Sequence, residues 1–508
     1  MARLQVVLVG LGLYRKGRIA SFVAVIIGLI TLLFYYSWWF KDSRLYSPWL
    51  VLAFIFALFY GAFQLAGTWI IYLSASRRPR RARLPIPSAL SVDVFVTAYN
   101  EDLDLIERCL AATCNMHVKH RTWLLDDAGR PELAELAERI GSGYLSRADN
   151  HDHKAGNINA ALPRTQGDII VIFDIDHVPD VRFLERTLGY FAVPRMGFVQ
   201  VMLTFDYANG EWVAKAASDS SLDYYNPASL GADSLGSTTL VGSNALIRRT
   251  ALESIGGYQP GLAEDLATSI ALHADGWQSV YINKPLAPGL APPDLTAWFS
   301  QQFKWARGVF ELFITVYWRK LGKLTLGQKL FYGVRMTYYW IGLVFAIHLL
   351  ATIGVLFGHS ETALGEFQNY LLHLLPLAVA TALIRMVVLR HHAYPTLKQV
   401  MGKGGVTQWK PLLLVLGTWP VYVLAWLMAL LRVPVSFLPT PKRASSQGPN
   451  VAWIWPQMLA IVGIVTGMVV TQWTVGFRYY PLILAFAVVL VVGQIGVLVQ
   501  ARREASYL

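Results

Sequence analysis

Five groups of residues in this sequence have the types and spacing to do chemistry. Asp174-Ile175-Asp176 closes the apolar run "IIVIFDID", and Asp126-Asp127 closes "RTWLLDD". Lys154 sits in "HDHKAGN", Glu264-Asp265 follows the turn-rich "GGYQPGLA", and Gln301-Gln302-Phe303-Lys304-Trp305 interrupts a stretch of helix-like apolar sequence. Alternate residues at a strand end point to one side, so Asp174 and Asp176 can face one site. Two carboxylates that close repel, and a hard divalent cation with oxygen ligands relieves the repulsion while also binding substrate phosphates. The plainer reading is a pair of solvated turn aspartates. The apolar strand before them and the Asp126-Asp127 pair weigh against it. A lysine beside a glycine at a helix start suits a phosphate. His151 and His153 read as solvated turn residues rather than metal ligands. Glu264-Asp265 either exploits the favourable charge at a helix N-terminus or supplies a general base that takes a proton from an attacking hydroxyl; spacing alone leaves both open. The Gln301–Trp305 stretch, with two amides, a cation and an indole, is either the polar stripe of a helix on a membrane or the floor of a binding site.

These groups need elements to hold them. "VDVFVTAYNE" (92–101) reads as a buried strand followed by a helix over 102–112. "RTWLLDDAG" (121–129) repeats the plan before the helix "PELAELAERI", and "GDIIVIFDIDHVP" (167–179) supplies a third strand. Buried strands alternating with helices imply a mostly parallel sheet covered on both faces, with ligands beyond the carboxyl ends of the strands. Glu101, Asp126, Asp127, Asp174 and Asp176 all follow strand ends and should gather on one edge. A helix is expected over 265–277.

Around this unit the composition changes. The chain has 508 residues, of which 55% are hydrophobic and 15% charged, with 17 Trp and a mean hydropathy of +0.41. Such a balance predicts membrane spans. Residues 84–285 read as an ordinary soluble domain between apolar regions at 19–74 and 329–500. The net charge of +12 gathers at "SRRPRRAR" (76–83), "RHHAYPTLKQVMGKGG" (390–405), "PKRA" (441–444) and "ARRE" (501–504). These lie mostly against the ends of apolar segments, a pattern of cytoplasmic membrane flanks rather than a nucleic-acid surface. The first apolar run lacks a signal-peptide cleavage site and reads as a retained anchor. Cys109 and Cys114 form no metal pattern, and a reducing compartment fits them.

A spanning helix needs roughly 20 apolar residues. Candidates are 19–40, 49–73, 331–357, 369–389, 411–432, 456–473 and 480–499. Both flanks of 411–432 are basic, so it is expected to lie at the interface or dip in and return. That leaves six spans with both termini and the soluble domain inside; seven spans is the alternative. Arg385 and His348 are ionisable groups within spans. Arg385 either snorkels or lines a polar path, and His348 is expected to bond a neighbouring helix.

Taken together, "TAYNE", "LLDDAG", "HKAGN", "FDIDHVP", "GSNALIRR", "AED" and "QQFKW", in that order from residue 92 to 308, resemble the membrane-embedded processive glycosyltransferases of family 2: the cellulose, curdlan, chitin and hyaluronan synthases. "FLPTPK" (437–442) resembles the F-x-V-T-x-K gating loop of bacterial cellulose synthase. Bacterial cellulose synthase and curdlan (β-1,3-glucan) synthase are the nearest in pattern. The resemblance implies an α/β GT-A domain, mostly parallel in sheet, inserted in an α-helical transmembrane domain with interfacial helices. Its parts would be two N-terminal spans (1–83), the catalytic domain (84–290), interfacial helices (291–328, an amphipathic pair over 294–320) and a channel region (329–508) holding the gating loop (433–450). It implies an inverting mechanism on a UDP-sugar. Thr97, Tyr99, Glu101 and Asp127, with Asp126 beside it, would hold the donor's uridine, and Lys154 would contact the donor. Asp174 and Asp176 would bind Mg²⁺ or Mn²⁺ on the diphosphate, with Asp265 as base and Glu264 next to it. Gln301 and Lys304 would steady the pyrophosphate, Trp305 would stack on the acceptor sugar, and Thr440 and Lys442 would close over the nucleotide.

The departures are informative. Lys304 stands where the family usually has arginine, exchanging a bidentate fork for a point charge. "AED" replaces T-E-D, and "VMLTFDYANGE" (201–211) does not follow the T-P-H-F-F region of cellulose synthase. The expected product is therefore a β-glucan of β-1,3 (curdlan) or β-1,4 (cellulose) type, made from UDP-glucose and moved through the chain's own helices. The expected location is the bacterial inner membrane, with the bilayer and growing glycan as partners, accessory secretion subunits beside them, and no nucleic acid. The chain ends after its last span without a cyclic-di-GMP domain, so such regulation is expected to need another protein. Alternatives are transfer of a single sugar to a lipid, a processive synthase using another UDP-sugar, and a transporter or scaffold that has lost chemistry. Intact Asp174, Asp176 and Asp265 argue against the last.

Overall fold

The computed structural model describes residues 2–40, 48–78, 84–206, 212–358, 360–390, 409–435 and 451–506. Nine strands are present among them: β1 (Val92–Ala98), β2 (Arg121–Asp126), β3 (Gly143–Ser146), β4 (Ile169–Asp174), β5 (Met196–Val201), β6 (Thr204–Asp206), β7 (Ala245–Arg248), β8 (Gln278–Ile282) and β9 (Pro288–Leu290). Seven form one sheet in the order β3-β2-β1-β4-β7-β5-β8, and β6 pairs with β9. β3, β2, β1 and β4 run parallel, while β7 is antiparallel to both of its neighbours.

Both faces of the sheet are covered, as near-continuous apolar strands require. Val92, Val94, Val96 and Ala98 join one core with Ile106, Leu133 and Phe173. Phe95, between them in sequence, enters the opposite core with Leu125, Ile158 and Ile172. The register aligns the carboxyl ends of the parallel strands, pairing Ala98 with Asp126, Thr97 with Asp174, and Asp126 with Ser146. One polar edge results, as expected. The helix after β1 is Leu103–Cys114, and the one expected over 265–277 is Glu264–Ala274, ended by a left-handed Gly276 at φ +81°.

Six helical stretches are long and apolar enough to cross a membrane: Gly17–Trp39, Phe54–Ala75, Leu326–Phe357, Glu361–Val388, Trp455–Thr474 and Pro481–Arg503. The chain is an integral membrane protein. The ambiguous 411–432 is not one straight helix. Trp409–Gly417 and Trp419–Leu430 meet at Thr418 with a bend of 41°, so the count is six, or seven if the pair is one span. Arg385 is paired with Asp223 of the sheet domain at 2.5 Å, an outcome neither snorkelling nor a polar path anticipated. His348 bonds Tyr370 of the next span, Nε2 to hydroxyl 2.5 Å, as expected.

One expectation is corrected. The interfacial pair over 294–320 is a single helix, Leu295–Leu312, continued through a π turn at Phe313–Tyr317 into Trp318–Lys320. Asp294 caps it, its side chain accepting from Ala297 N at 2.8 Å. Trp298 Nε1 donates to Thr418 Oγ1 at 2.9 Å, and Tyr422 donates to Gln302 Oε1 at 2.8 Å, tying this helix to the bent pair.

Candidate active site

The site divides into a cleft and a charged centre beside it. The cleft, about 380 Å³, is lined by Tyr99, Asn100, Asp127, Ala128 and the loop Arg147 to Asn150. These residues come from the turns that follow β1, β2 and β3. Arg147 organises them: its Nε donates to Asp127 Oδ1, its Nη1 to His151 O at 2.6 Å and its Nη2 to His153 O at 2.9 Å. The Arg147–Asp127 pair is buried on both sides. Sequence reasoning missed Arg147. Its signal was position, since it follows a strand end as the aspartates do.

The two aspartates at 126 and 127 part company. Asp127 lines the cleft, whereas Asp126 is 0% exposed and closes its own turn. Its carboxylate accepts from Ala128 N (2.9 Å), Arg130 N (2.6 Å) and Tyr144 OH (2.8 Å). Asp126, the last residue of β2, thus builds the turn that follows it, while Asp127, the first residue of that turn, faces the cleft. Glu101 also serves locally, accepting from Tyr99 N at 2.7 Å and so shaping the turn that presents Tyr99.

In the charged centre, Lys154 opens the helix His153–Ala161 and donates to Asp174 Oδ1 and to Gly242 O at 2.8 Å. Thr97 Oγ1 donates to the same Asp174 oxygen at 3.4 Å. Burial pushes the Asp174 carboxyl up, but the Lys154 ammonium outweighs it and the group stays below its usual range. Burial pulls Lys154 down, and Asp174 and Glu264 more than reverse this. Gly242 lies at φ +87°, and a Cβ there would stand 3.7 Å from Lys154 Nζ and 3.8 Å from Asp265 Oδ2. The donor-side lysine and the candidate base therefore converge on one glycine.

Asp265 is half-buried at the start of the helix Glu264–Ala274 and accepts from Leu266 N at 2.7 Å. Burial, and then the neighbouring Glu264 carboxylate, push its carboxyl up to about 7. A base poised near neutrality suits proton abstraction. Lys304 is half-buried, and burial pulls its ammonium down, partly offset by Glu264. Its charge is felt by Glu264, Asp174, Asp265 and Lys154, so it belongs to the same centre. A glycine one helical turn further makes this possible. A Cβ on Gly308 would meet Ala263 N at 2.8 Å, so the absent side chain lets the Lys304 helix lie directly on the start of the Asp265 helix. Gln301 is half-buried and Trp305 is 36% exposed on the same helix. Thr440 and Lys442 lie outside the described residues.

The expectation that Asp174 and Asp176 share one orientation is also refined. β4 ends at Asp174, so Ile175 and Asp176 form a turn and the alternation stops there. Asp176 is buried, its Oδ2 accepting from Leu290 N at 3.2 Å and its Oδ1 lying 3.6 Å from His177 Nδ1. Asp174 still feels its negative charge. Asp174 and Asp176 are the donor pair for a hard cation, which would share Asp174 with the Lys154 ammonium that rests on it. Among the described residues no group of three or more His, Cys, Asp or Glu could enclose a metal. An ion would thus take its remaining ligands from phosphate and water, the usual habit of Mg²⁺.

Comparison with known proteins agrees with this geometry. Residues 87–308 match the family model described as "Glycosyltransferase like family 2", and residues 248–392 match "Cellulose synthase". The stretch 87–308 belongs to the family 2 glycosyltransferases. Its relatives in that family include "Cellulose synthase 1" of Komagataeibacter xylinus, 30% identical over 83% of this chain and 27% of the relative. Another is the "Cellulose synthase catalytic subunit [UDP-forming]" of Pseudomonas fluorescens (strain SBW25), 30% identical over 72% of this chain and 52% of the relative. The chain thus spans about half the length, or less, of these relatives. A solved structure, the mannosyltransferase PcManGT from Pyrobaculum calidifontis in complex with GDP-Man and Mn²⁺, superposes on 68% of this chain and 99% of its own at a TM-score of 0.47 and 17% identity. The sheet and its polar edge are the GT-A-type core expected of the family.

Proposed function

We propose that this glycosyltransferase polymerises a β-glucan from UDP-glucose on the cytoplasmic side of a bacterial inner membrane and passes the product through its own helices. The observation that carries the reading is the convergence of Lys154, Asp174, Asp265 and Lys304 beside a cleft sized for a nucleotide. The cellulose synthase relatives favour a β-1,4 product.

Tyr99 and Asp127 hold the uridine in the cleft, with Arg147 fixing the Asp127 carboxylate. Asp174 and Asp176 would hold Mg²⁺ or Mn²⁺, which supplies positive charge to the diphosphate as its bond to glucose breaks. Lys154 and Lys304 add fixed positive charge on the same side, where negative charge grows in the transition state. Lys304, with burial lowering its proton affinity, gains most from a dianionic neighbour. Asp265 takes the proton of the acceptor hydroxyl, which attacks opposite the departing UDP. An α-linked donor so yields a β-linked product. Glu264 keeps Asp265 basic, Gln301 lies along the diphosphate, and Trp305 offers its exposed indole to the acceptor sugar.

The test uses purified protein in detergent or vesicles with UDP-glucose and Mg²⁺ or Mn²⁺. It should release UDP and form long polymer, and chelation should stop both. Linkage analysis should return 1,4-linked glucose; 1,3-linked glucose would move the product to the curdlan type. A product of one added sugar, or turnover only with another UDP-sugar, would overturn the reading.

A further inference from the structure

The helix Leu295–Leu312 carries two stripes with different partners. Gln301, Lys304, Trp305 and Gly308 follow the i, i+3, i+4, i+7 spacing and share one face. That face lies on the start of the Asp265 helix, where a Cβ on Gly308 would meet Ala263 N at 2.8 Å. Trp298 and Gln302, one turn apart, sit roughly a quarter turn round the helix from it. Both are buried.

Each of these two side chains makes a hydrogen bond to the bent pair, and at the same offset. Trp298 Nε1 donates to Thr418 Oγ1 at 2.9 Å, and the Tyr422 hydroxyl donates to Gln302 Oε1 at 2.8 Å, so 298 and 302 face 418 and 422 in turn. The two helices therefore run in the same direction, locked by two rungs one turn apart. One turn beyond Tyr422, Trp426 packs edge-on against Phe310 with ring centroids 4.9 Å apart. A slip of one residue would move the Lys304 helix about 1.5 Å along its axis and turn it by about 100°. Such a slip would break both rungs.

The bent pair is itself held by membrane spans. Gln457 Nε2, from the span Trp455–Thr474, donates to Gly417 O at 2.8 Å, taking up a carbonyl at the break. Trp419 Nε1 donates to Gln494 Oε1 of the span Pro481–Arg503 at 3.1 Å. A Cβ on Gly342, in the span Leu326–Phe357, would meet Tyr422 Cβ at 2.6 Å, and one on Gly417 would run into the Val497 side chain. Three spans thus fix residues 417, 419 and 422, and the rungs leave from 418 and 422.

We propose that Gln302 and Tyr422, with Trp298 and Thr418 one turn earlier, are positioning residues for the transfer reaction. They set the axial and rotational register of the helix that presents Lys304 and Trp305, and they tie that register to the membrane spans. Loss of a rung leaves the nucleotide cleft intact, because its lining comes from 99–150. The error falls instead on Lys304 against the diphosphate and on Trp305 against the acceptor sugar.

This inference rests on Lys304 and Trp305 acting in the transfer, and the experiment separates the two. Full turnover in Lys304→Ala would sink that reading itself. With Lys304→Ala impaired, Tyr422→Phe, Gln302→Met and the double variant are assayed in the purified protein. The measurements are kcat, KM for UDP-glucose, mean product length and the stoichiometry of UDP binding. Each single change should lower kcat about tenfold, inside the roughly 10²-fold that a misplacement of about 1 Å can cost. UDP-binding stoichiometry should hold, KM should stay within about twofold, and the product should shorten. The double variant should be no slower than the slower single, because both changes remove the same bond. Unchanged kcat in Tyr422→Phe would overturn the proposal, as would a double-variant loss equal to the product of the single losses. A kcat that falls only in step with the number of UDP-binding sites, at constant product length, would also overturn it and mark a packing role. If Gln302→Met does not bind UDP, Thr418→Val takes its place beside Tyr422→Phe. Lowered kcat with UDP binding kept in both supports the proposal, and unchanged kcat in either overturns it.

Discussion

The cleft and the charged centre lie side by side but are built differently. Every residue lining the cleft comes from 99–150, from turns that follow three adjacent parallel strands. The charged centre gathers Lys154, Asp174, Gly242, Asp265 and Lys304 from five separate segments, one of them a helix bound to the membrane region. The first is held by local hydrogen bonds, Arg147 above all. The second is held by contacts between distant segments: Lys154 bonded to Asp174 and to Gly242 O, and the close approach of Gly308 to Ala263. Donor binding should therefore withstand changes that abolish transfer.

The sharpest test of that separation is Asp265→Asn. Turnover should drop by about 10²–10⁴-fold, the range for losing a general base, while UDP binding by calorimetry stays near wild type. Loss of both would erase the distinction. Lys304→Ala should follow, with kcat down about 10²-fold as expected for removing one transition-state charge partner and Lys304→Arg largely retaining activity. A near-neutral Lys304→Ala would mean another cation holds the diphosphate. Gly308→Val comes next. Overpacking at a 2.8 Å approach costs about 1–3 kcal/mol, and kcat should fall with the Lys304 helix displaced and KM for UDP-glucose little changed. Smallest in rate is Asp126→Asn. It should leave KM within about twofold but lower the thermal midpoint, because buried donors at Ala128, Arg130 and Tyr144 lose a charged acceptor, each such bond being worth about 1.5–3 kcal/mol. A KM rise comparable to that of Asp127→Asn would restore Asp126 to the nucleotide site.

The pH profile sharpens the same contrast. As the proposed base, Asp265 must be ionised to act, and its carboxyl is pushed up to about 7 by burial and Glu264. Turnover should rise with pH through neutrality, while UDP binding in the cleft stays flat over that window. A rate that falls with rising pH there would exclude Asp265 as the base.

The strands and their terminal carboxylates were legible because a buried parallel strand is an unbroken apolar run, and the residue that ends it must be polar. The spans were legible for a similar reason: roughly 20 apolar residues have no other use. The basic flanks also made 411–432 suspect before its 41° bend at Thr418 was visible. The facing of neighbours was not legible. Asp126 and Asp127 read alike as a pair, and only the turn after β2 sends one inward and the other to the cleft. Asp176 looked equivalent to Asp174 until the end of β4 fell between them. Arg147 carries no motif, and its carboxylate partner Asp127 lies on the next strand's turn, 20 residues away.

By itself, then, the sequence determined which side chains could do chemistry, that strands would deliver several of them to one edge, and that the remainder of the chain lies in a membrane. Those properties depend on residue type and on periodicity over a few neighbours. Tertiary structure alone decided that the Lys304 helix lies on the start of the Asp265 helix and that Asp126 is turned away from the cleft that Asp127 lines. Each of these depends on close approach between segments far apart in sequence, and such approach is set by packing at points like Gly308 and Gly242 rather than by any local pattern.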